Sequence, residues 1–379
     1  MHIVLDGAPL TVSTGGIRRY TEELAIALQG LNPHPQMLAA DVVAPPHQAD
    51  QVYVVSDRPL QAADRLRAHG VVVADLPQTG MRKRWWSYGF TRVCHDLQAA
   101  VVHGTDFSVP YLHRHPSVMT IHDLSPWRFP EWQPQAGRIR SRTPWMLRLG
   151  LADRVITVSE AVRKEAIATF RLSADRVVAV PLAADSRFHP GGGQPVSALL
   201  GPNGPIPFLL FVGTLEPRKH VESLIAAWRA LRQVVDIPLV LAGRLRDDGM
   251  APPDDPGILW LPEPDDASIV WVYANATAVV YPSHYEGFGL PVLEAMQCGA
   301  PVVISKADAL RELAGDAALS VDPADTLSFR DLLQALCINP DLRGDLRRRS
   351  LARASLYSWE RTARLTRDVY LEAVAHFAK

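Results

Sequence analysis

The chain has 379 residues, with 39 Lys and Arg against 40 Asp and Glu and a formal net charge of -1, which excludes bulk electrostatic attraction to nucleic acid. Its 47% hydrophobic and 21% charged residues describe an ordinary globular protein, long enough for two domains with separate cores. Cys94, Cys298 and Cys337 are odd in number, widely spaced and in no CxxC pattern. They argue against a disulfide framework or a zinc site and fit a reducing cytoplasm. Met1–Gly7 is too soon interrupted for a signal peptide, and no apolar run approaches the ~18 residues of a membrane-spanning helix, so a soluble or peripheral protein is expected.

Short apolar runs alternate with helical patterns along the whole chain, the signature of parallel sheets built from strand–helix units. Ile3–Leu5 reads as the first strand. After the turn Ser13-Thr14-Gly15-Gly16, the residues Ile17, Tyr20, Leu24 and Leu28 recur at helical spacing, and Gly30 with Pro33 ends that helix. Further strands are expected at 52–55, 71–73, 101–103, 118–121 and 155–158. Gly-Gly-Gly-Gln-Pro and Gly-Pro-Asn-Gly-Pro, between Gly191 and Pro207, are linker chemistry. Alternation then restarts, with strands expected at 208–212, 239–241, 258–261, 278–281 and 301–304 and a helix carrying Val221, Leu224, Ile225, Trp228 and Leu231. The expected organisation is a first domain over 1–190, a linker over 191–206, a second domain over 207–358 and a terminal helix over 359–379. Two Rossmann-like, doubly wound α/β domains facing a central cleft follow, with ligands beyond the carboxyl ends of the strands.

The run His284-Tyr285-Glu286-Gly287-Phe288-Gly289-Leu290-Pro291-Val292-Leu293-Glu294 carries the most chemical information. Its glycines let backbone N–H groups approach a ligand, and Pro291 suits a helix start, where its missing N–H costs nothing. The positive end of such a helix favours a diphosphate, while Glu286 in the turn and Glu294 one helical turn inside can accept hydrogen bonds from sugar hydroxyls. The pattern reads as a nucleotide-sugar site; an ordinary strand–turn–helix with both glutamates solvated is the alternative.

Taken together, this run, Phe211-Val212-Gly213-Thr214-Leu215-Glu216-Pro217-Arg218-Lys219, and Thr120-Ile121-His122-Asp123-Leu124 resemble family 4 of the retaining glycosyltransferases, which have the GT-B fold. Thr157-Val158-Ser159, the stretch from Val180 to Pro190, and Ser358-Trp359 agree in order and separation. The resemblance implies a donor-binding second domain, an acceptor-binding first domain, and a last helix that packs back on the first domain. It implies that Glu286 contacts the donor sugar, Glu294 the ribose, and the backbone of Phe288, Gly289 and Leu290 the sugar and diphosphate. Arg218 and Lys219 would hold the diphosphate, beside Gly213 and Thr214. Their chemistry is independently reasonable, since two fixed cations can neutralise charge on a departing phosphate without a metal; a solvated basic turn is the alternative. The resemblance also sets His122 near the reacting sugar carbon, where its ring or backbone carbonyl stabilises an oxocarbenium-like centre. A purely structural histidine is the other reading. Thr14, Gly15 and Gly16 match a loop over the phosphate and acceptor. The resemblance further implies same-face attack, with the leaving phosphate helping to deprotonate the acceptor, which requires no covalent nucleophile.

No His/Asp/Glu cluster has metal spacing, and Asp247-Asp248 and Asp254-Asp255 read as loop charges, so no metal or other cofactor is expected. Two departures from the family pattern stand out. Gly213-Thr214 replaces the usual Gly-Arg, and Leu261-Pro262-Glu263 lacks the glycine that commonly precedes the base-binding segment. Glu263 or a nearby carbonyl is expected to accept from guanine, making GDP-mannose, or a GDP-deoxyhexose such as GDP-rhamnose, the donor. This accords with the mannosyltransferase-like branch that the Glu-Pro-Arg-Lys form resembles.

Met81-Arg82-Lys83-Arg84-Trp85-Trp86-Ser87-Tyr88-Gly89-Phe90 sets cations beside aromatics. It suits docking on an anionic membrane, a face that Arg138, Arg140, Arg142 and Arg148 extend. A core-packed helix with a solvated basic edge is an equal alternative, and an aromatic acceptor wall is a third. The leading function is a retaining, metal-independent hexosyltransferase acting on a glycan acceptor, lipid-linked, in polysaccharide or lipopolysaccharide biosynthesis at the cytoplasmic face of the inner membrane. The competing readings are a UDP-sugar-dependent enzyme of the same fold, a sugar phosphorylase or epimerase, and a non-catalytic nucleotide-sugar-binding subunit.

Overall fold

The computed structural model describes residues 1–12, 15–31, 49–74, 84–245 and 254–378, which form two compact units. The first comprises Met1–Leu182 and Ser358–Lys379, the second Ala183–Tyr357.

In the first unit, β1 (His2–Asp6), β2 (Gln51–Val55), β3 (Val72–Ala74), β4 (Val101–Gly104), β5 (Ser117–Ile121), β6 (Arg154–Thr157) and β7 (Val177–Ala179) form one parallel sheet in the order β3-β2-β1-β4-β5-β6-β7. Ile3 pairs with Val52 on one side and Val101 on the other, so the chain winds outward from β1 in both directions. A parallel sheet is covered on both faces, and its strands therefore read as unbroken apolar runs: Ile3, Val4, Leu5, Val101, Val118 and Ile121 are all fully buried. The division at Leu182 and Ala183 comes before the segment expected as linker. Residues 191–206 lie within the second unit, where β8 (Leu200–Gly201) and β9 (Gly204–Pro205) make a short antiparallel hairpin.

The terminal helix, Trp359–Phe377, belongs to the first unit. Ser358 caps it by accepting from the Arg361 amide at 3.1 Å. Its buried stripe of Ala363, Val369, Tyr370 and Ala373 packs on that unit, flanked by ion pairs from Arg367 to Asp50 at 2.5 Å and from Arg154 to Glu372 at 3.1 Å. A buried polar chain fixes its register. The Tyr370 hydroxyl meets His103 Nδ1 at 2.7 Å, His103 Nε2 meets the Thr120 hydroxyl at 2.7 Å, and that hydroxyl meets the Tyr20 hydroxyl at 2.8 Å. Burial pushes the His103 imidazole down to about 3, so the chain is held by a neutral ring.

In the second unit, β10 (Leu209–Val212), β11 (Leu239–Gly243), β12 (Ile258–Pro262), β13 (Ala278–Tyr281), β14 (Val302–Ile304) and β15 (Ala318–Ser320) form a parallel sheet in the order β12-β11-β10-β13-β14-β15. The winding direction changes between β10 and β13, the position where such sheets open a crevice at their carboxyl ends. The ends of β10 and β11 come unusually close there. A Cβ on Gly243, whose φ is +142°, would lie 2.1 Å from the Gly213 carbonyl oxygen.

The aromatic segment departs from a membrane-facing reading. Met81, Arg82 and Lys83 lie outside the described residues, but Trp85 and Phe90 are buried and stacked at 5.3 Å in a core that also holds Val4, Val55, Val93 and Val102. Trp86 packs edge-on against Phe90, and Tyr88 alone of the four aromatics is exposed. Trp85 fills a core and so cannot also anchor in lipid, while Trp86 is half-buried against that core.

Gly243→Ala combines a φ that L-residues rarely adopt with a backbone clash and is expected to cost about 3 kcal/mol or more. Urea unfolding of wild type and variant measures this, and a cost below about 1 kcal/mol would mean that the strand ends can separate freely.

Candidate active site

Two loops at the carboxyl ends of β10 and β13 build the site of the second unit. The first runs from Gly213 through Thr214, both half-buried, to a single helical turn over Pro217–Lys219. His220 then adopts a left-handed conformation, φ 51°, and turns the chain into the Val221–Leu231 helix. The second runs from Pro282 to Gly289, the residue that caps the Leu290–Gln297 helix with φ +101°. A Cβ at Gly289 would meet Leu310 Cδ2 at 2.5 Å, so glycine is needed there for both backbone and space. The loops are stitched by one backbone and one side-chain bond: the His284 amide donates to the Arg218 carbonyl at 2.9 Å, and Arg218 Nη1 donates to the Tyr285 carbonyl at 2.9 Å.

Glu286 and Lys219, both buried, meet the half-buried Arg218 in one charge cluster. Glu286 Oε1 accepts from Lys219 Nζ at 2.5 Å, and Oε2 pairs with Arg218 Nη1 at 2.9 Å. Glu286 is 8% and Lys219 7% exposed, so neither is a solvated surface charge. Lys219 also donates to the Tyr281 hydroxyl at 2.5 Å, and Arg218 Nη2 donates to Glu216 Oε1 at 2.6 Å. Burial alone would raise the Glu286 carboxyl, but the Arg218 and Lys219 charges outweigh it and bring it down to about 2. A carboxyl whose folded value is depressed contributes stability above its unfolded value. That contribution is fully present above 4.5 and is lost as pH falls through about 2. Burial and the neighbouring guanidinium pull the Lys219 ammonium down, against the attraction of Glu286. Burial and the Glu286 charge keep the Tyr281 phenol well above its ordinary range, hence neutral.

Glu294 sits one turn inside the Leu290–Gln297 helix, 4% exposed, and accepts from the Tyr273 hydroxyl at 3.1 Å. Phe288 is buried edge-on against Tyr357 at 5.9 Å, and Leu290 is half-buried at the helix start. Glu263 stands apart from the cluster. It is exposed beyond the end of β12 with φ 40°, its amide donates to the Gly243 carbonyl at 2.8 Å, and its carboxylate is 3.6 Å from Arg244.

The remaining expected residues are in the first unit. His122 follows β5, and its Nε2 lies 2.7 Å from the Thr105 carbonyl oxygen. A carbonyl can only accept, so Nε2 carries the proton and Nδ1 of the neutral ring holds the lone pair. Burial lowers the His122 imidazole, with Asp106 pulling the other way. Tyr20 meets the ring edge-on at 4.9 Å. Gly15 and Gly16 are exposed at the start of the Gly16–Gly30 helix, and Thr14 lies outside the described residues. Among the described residues no group of three or more His, Cys, Asp or Glu side chains is arranged to hold a metal. Asp255 pairs with Arg229 and Arg232, while Asp247 and Asp248 are outside the described residues.

Three contributors were not singled out in the sequence: Glu216, Tyr281 and Tyr273. Glu216 stands two residues before Arg218, and Tyr281 ends a strand at the crevice, so position gave a signal for both. Tyr273 lies inside the Asp266–Asn275 helix, where only packing reveals its partner.

Comparison with known proteins identifies the family. The family model described as Glycosyltransferase Family 4 matches residues 14–188, and that described as Glycosyl transferases group 1 matches residues 200–353. The O-antigen chain mannosyltransferase B of Escherichia coli is 32% identical over 98% of this chain and 99% of its own length. A D-inositol 3-phosphate glycosyltransferase of Saccharomonospora viridis is 30% identical over 60% of this chain and 57% of its own length. Among solved structures, a glycosyltransferase of Rickettsia africae superposes with a TM-score of 0.71 at 14% identity, covering 98% of each chain. The sucrose-phosphate synthase of Thermosynechococcus elongatus does so with a TM-score of 0.69 at 20% identity, covering 99% of each chain; both likenesses speak to the fold. With two parallel α/β units and a full-length relative at this level of identity, the chain belongs to the family 4 glycosyltransferases of GT-B fold and is a retaining hexosyltransferase.

Proposed function

We propose that this enzyme is a mannosyltransferase that moves a hexose from a GDP-sugar to a lipid-linked glycan during assembly of an O-antigen-like polysaccharide. The observation that carries the reading is the Glu286–Arg218–Lys219 cluster at the crevice of the second unit. It supplies two cations for a diphosphate and a carboxylate for sugar hydroxyls within one hydrogen-bonded group. The full-length similarity to an O-antigen chain mannosyltransferase supports mannose over other hexoses. Glu294, with its Tyr273 partner, is the residue we assign to the ribose, and the backbone at Phe288, Gly289 and Leu290 to the diphosphate. Gly213 and Thr214 line the loop beside it, while Gly15 and Gly16 serve the acceptor side. The catalytic set we propose is His122, Glu286, Arg218 and Lys219, with no metal required. Guanine would be read at Glu263 or a neighbouring carbonyl, and Arg244 beside that carboxylate weakens the side chain's share of the task relative to the backbone's.

A lipid-linked acceptor calls for a membrane-facing surface, and we assign it to the Gly137–Arg148 helix. Arg138, Arg142, Trp145 and Leu149 recur at helical spacing and are all exposed, with Trp145 at 48% and Leu149 at 54%. Tyr111 supports the patch, 5.9 Å from Trp145 and under the Arg142 guanidinium at 5.8 Å. Cations with an aromatic and a leucine on one face suit the interface of an anionic membrane. No helix among the described residues is long and apolar enough to cross a membrane. Peripheral attachment at the cytoplasmic face of the inner membrane follows as part of the proposal.

Calorimetry and slow hydrolysis with GDP-mannose, GDP-rhamnose, UDP-glucose and UDP-N-acetylglucosamine, with and without EDTA, test the donor. Selective, EDTA-resistant turnover of a GDP-sugar is expected, reduced about 10²-fold or more in Glu286→Ala. Equal affinity for GDP and UDP would overturn the base assignment. In a pH profile of transfer, neutral His122 introduces no acid limb at the ordinary imidazole value of 6.5; its limb lies lower, because its folded value is depressed. A limb at or above 6.5 that disappears in His122→Ala would contradict the neutral-ring role. Sedimentation with phosphatidylglycerol vesicles is expected to lose the triple variant Arg138→Glu, Arg142→Glu, Trp145→Ala while its GDP affinity is kept. Unchanged sedimentation would remove this surface.

A further inference from the structure

Glu286 is the carboxylate assigned to the donor sugar, yet both of its oxygens are engaged by Lys219 and Arg218, the cations assigned to the diphosphate. One set of N–H donors thus serves two anions, and a carboxylate bonded to both cations has less capacity for sugar hydroxyls. Each cation also has an anchor other than Glu286. Arg218 is held by Glu216 at 2.6 Å and by the Tyr285 carbonyl at 2.9 Å, and Lys219 by the Tyr281 hydroxyl at 2.5 Å. These anchors keep the cations in place whichever anion they serve. A neutral sugar cannot separate the pairs, since that would leave buried charge uncompensated. A diphosphate can, because it brings its own negative charge.

We propose that donor binding is an ion-pair exchange: the diphosphate draws Arg218 and Lys219 from Glu286, Glu216 and Tyr281 retain the two cations, and the released carboxylate then accepts from the sugar hydroxyls. Glu216 and Tyr281 are accordingly positioning residues. The inference rests on the donor-site reading given above and adds an order to it, with the sugar subsite completed only once the diphosphate is seated. Coupling between the two subsites is reciprocal, as any linkage of binding free energies must be.

The test is calorimetric titration of the full chain with GDP and UDP and with their hexose-bearing forms GDP-mannose and UDP-glucose. Wild type is compared with Glu286→Gln and Glu286→Asp. Removing the competing carboxylate is expected to tighten the free nucleoside diphosphate about tenfold in Glu286→Gln. Shortening it, so that it no longer reaches both cations, is expected to tighten it several-fold in Glu286→Asp. Neither variant gains affinity for the nucleotide sugar, because the sugar loses its acceptor as the diphosphate gains its cations. Tighter binding of the diphosphate without tighter binding of the nucleotide sugar is a signature that general loss of structure does not produce, and Glu286→Asp keeps the buried charge if Glu286→Gln fails to fold. Unchanged or weaker diphosphate binding in the variants, or equal shifts for both ligands, overturns the exchange. Failure of wild type to bind either diphosphate would instead overturn the donor-site reading.

Discussion

A buried carboxylate held between a buried lysine and a half-buried arginine governs the second unit of this enzyme. Taking such charges out of water costs several kcal/mol for each ion, and mutual attraction offsets that cost only where geometry is good and remaining hydrogen bonds are made. Both conditions are met around Glu286. The cluster satisfies its remaining groups through Glu216, the Tyr285 carbonyl and the Tyr281 hydroxyl. Stability arguments alone do not favour such an arrangement, since apolar side chains of similar volume commonly do as well. Its position at the carboxyl ends of β10 and β13, where the winding of the sheet reverses, gives it a chemical rationale.

The same economy explains why the loops around the cluster are glycine-rich. Gly289 lets the Leu290–Gln297 helix begin hard against Leu310, and Gly243 lets the ends of β10 and β11 close on one another. Side chains at these points would push the two loops away from their backbone stitching at His284 and Arg218. Precision in the charge cluster therefore depends on positions that carry no charge.

The first unit depends on a different device. Its last helix arrives from the far end of the chain and is held by the polar chain Tyr370–His103–Thr120–Tyr20, with ion pairs at either flank. A polar chain of this kind specifies one register where an apolar stripe alone tolerates several, at the expense of demanding that every member be satisfied. His122 lies against the same Tyr20 ring, so the placement of a proposed catalytic residue and the docking of the terminal helix share a wall.

Sequence by itself determined the parallel α/β character, nearly every long strand and the terminal helix, and it named Glu286, Arg218 and Lys219 but not their neighbour Glu216. These follow from local periodicity, from apolar runs that only doubly covered strands need, and from motif spacing. It missed β7 and β15, three residues each, although it found β3 and β14 of the same length. It also set the unit boundary too late, because Gly- and Pro-rich chemistry marks turns whether they join domains or merely close a hairpin. Only the tertiary structure decided that Trp85 belongs to the core rather than to a membrane face, since composition cannot report which side of a helix is covered. It alone showed that Glu286 is bonded to both cations. Pairing between residues 67 positions apart is a property of how β10 and β13 lie side by side, and no local pattern encodes it.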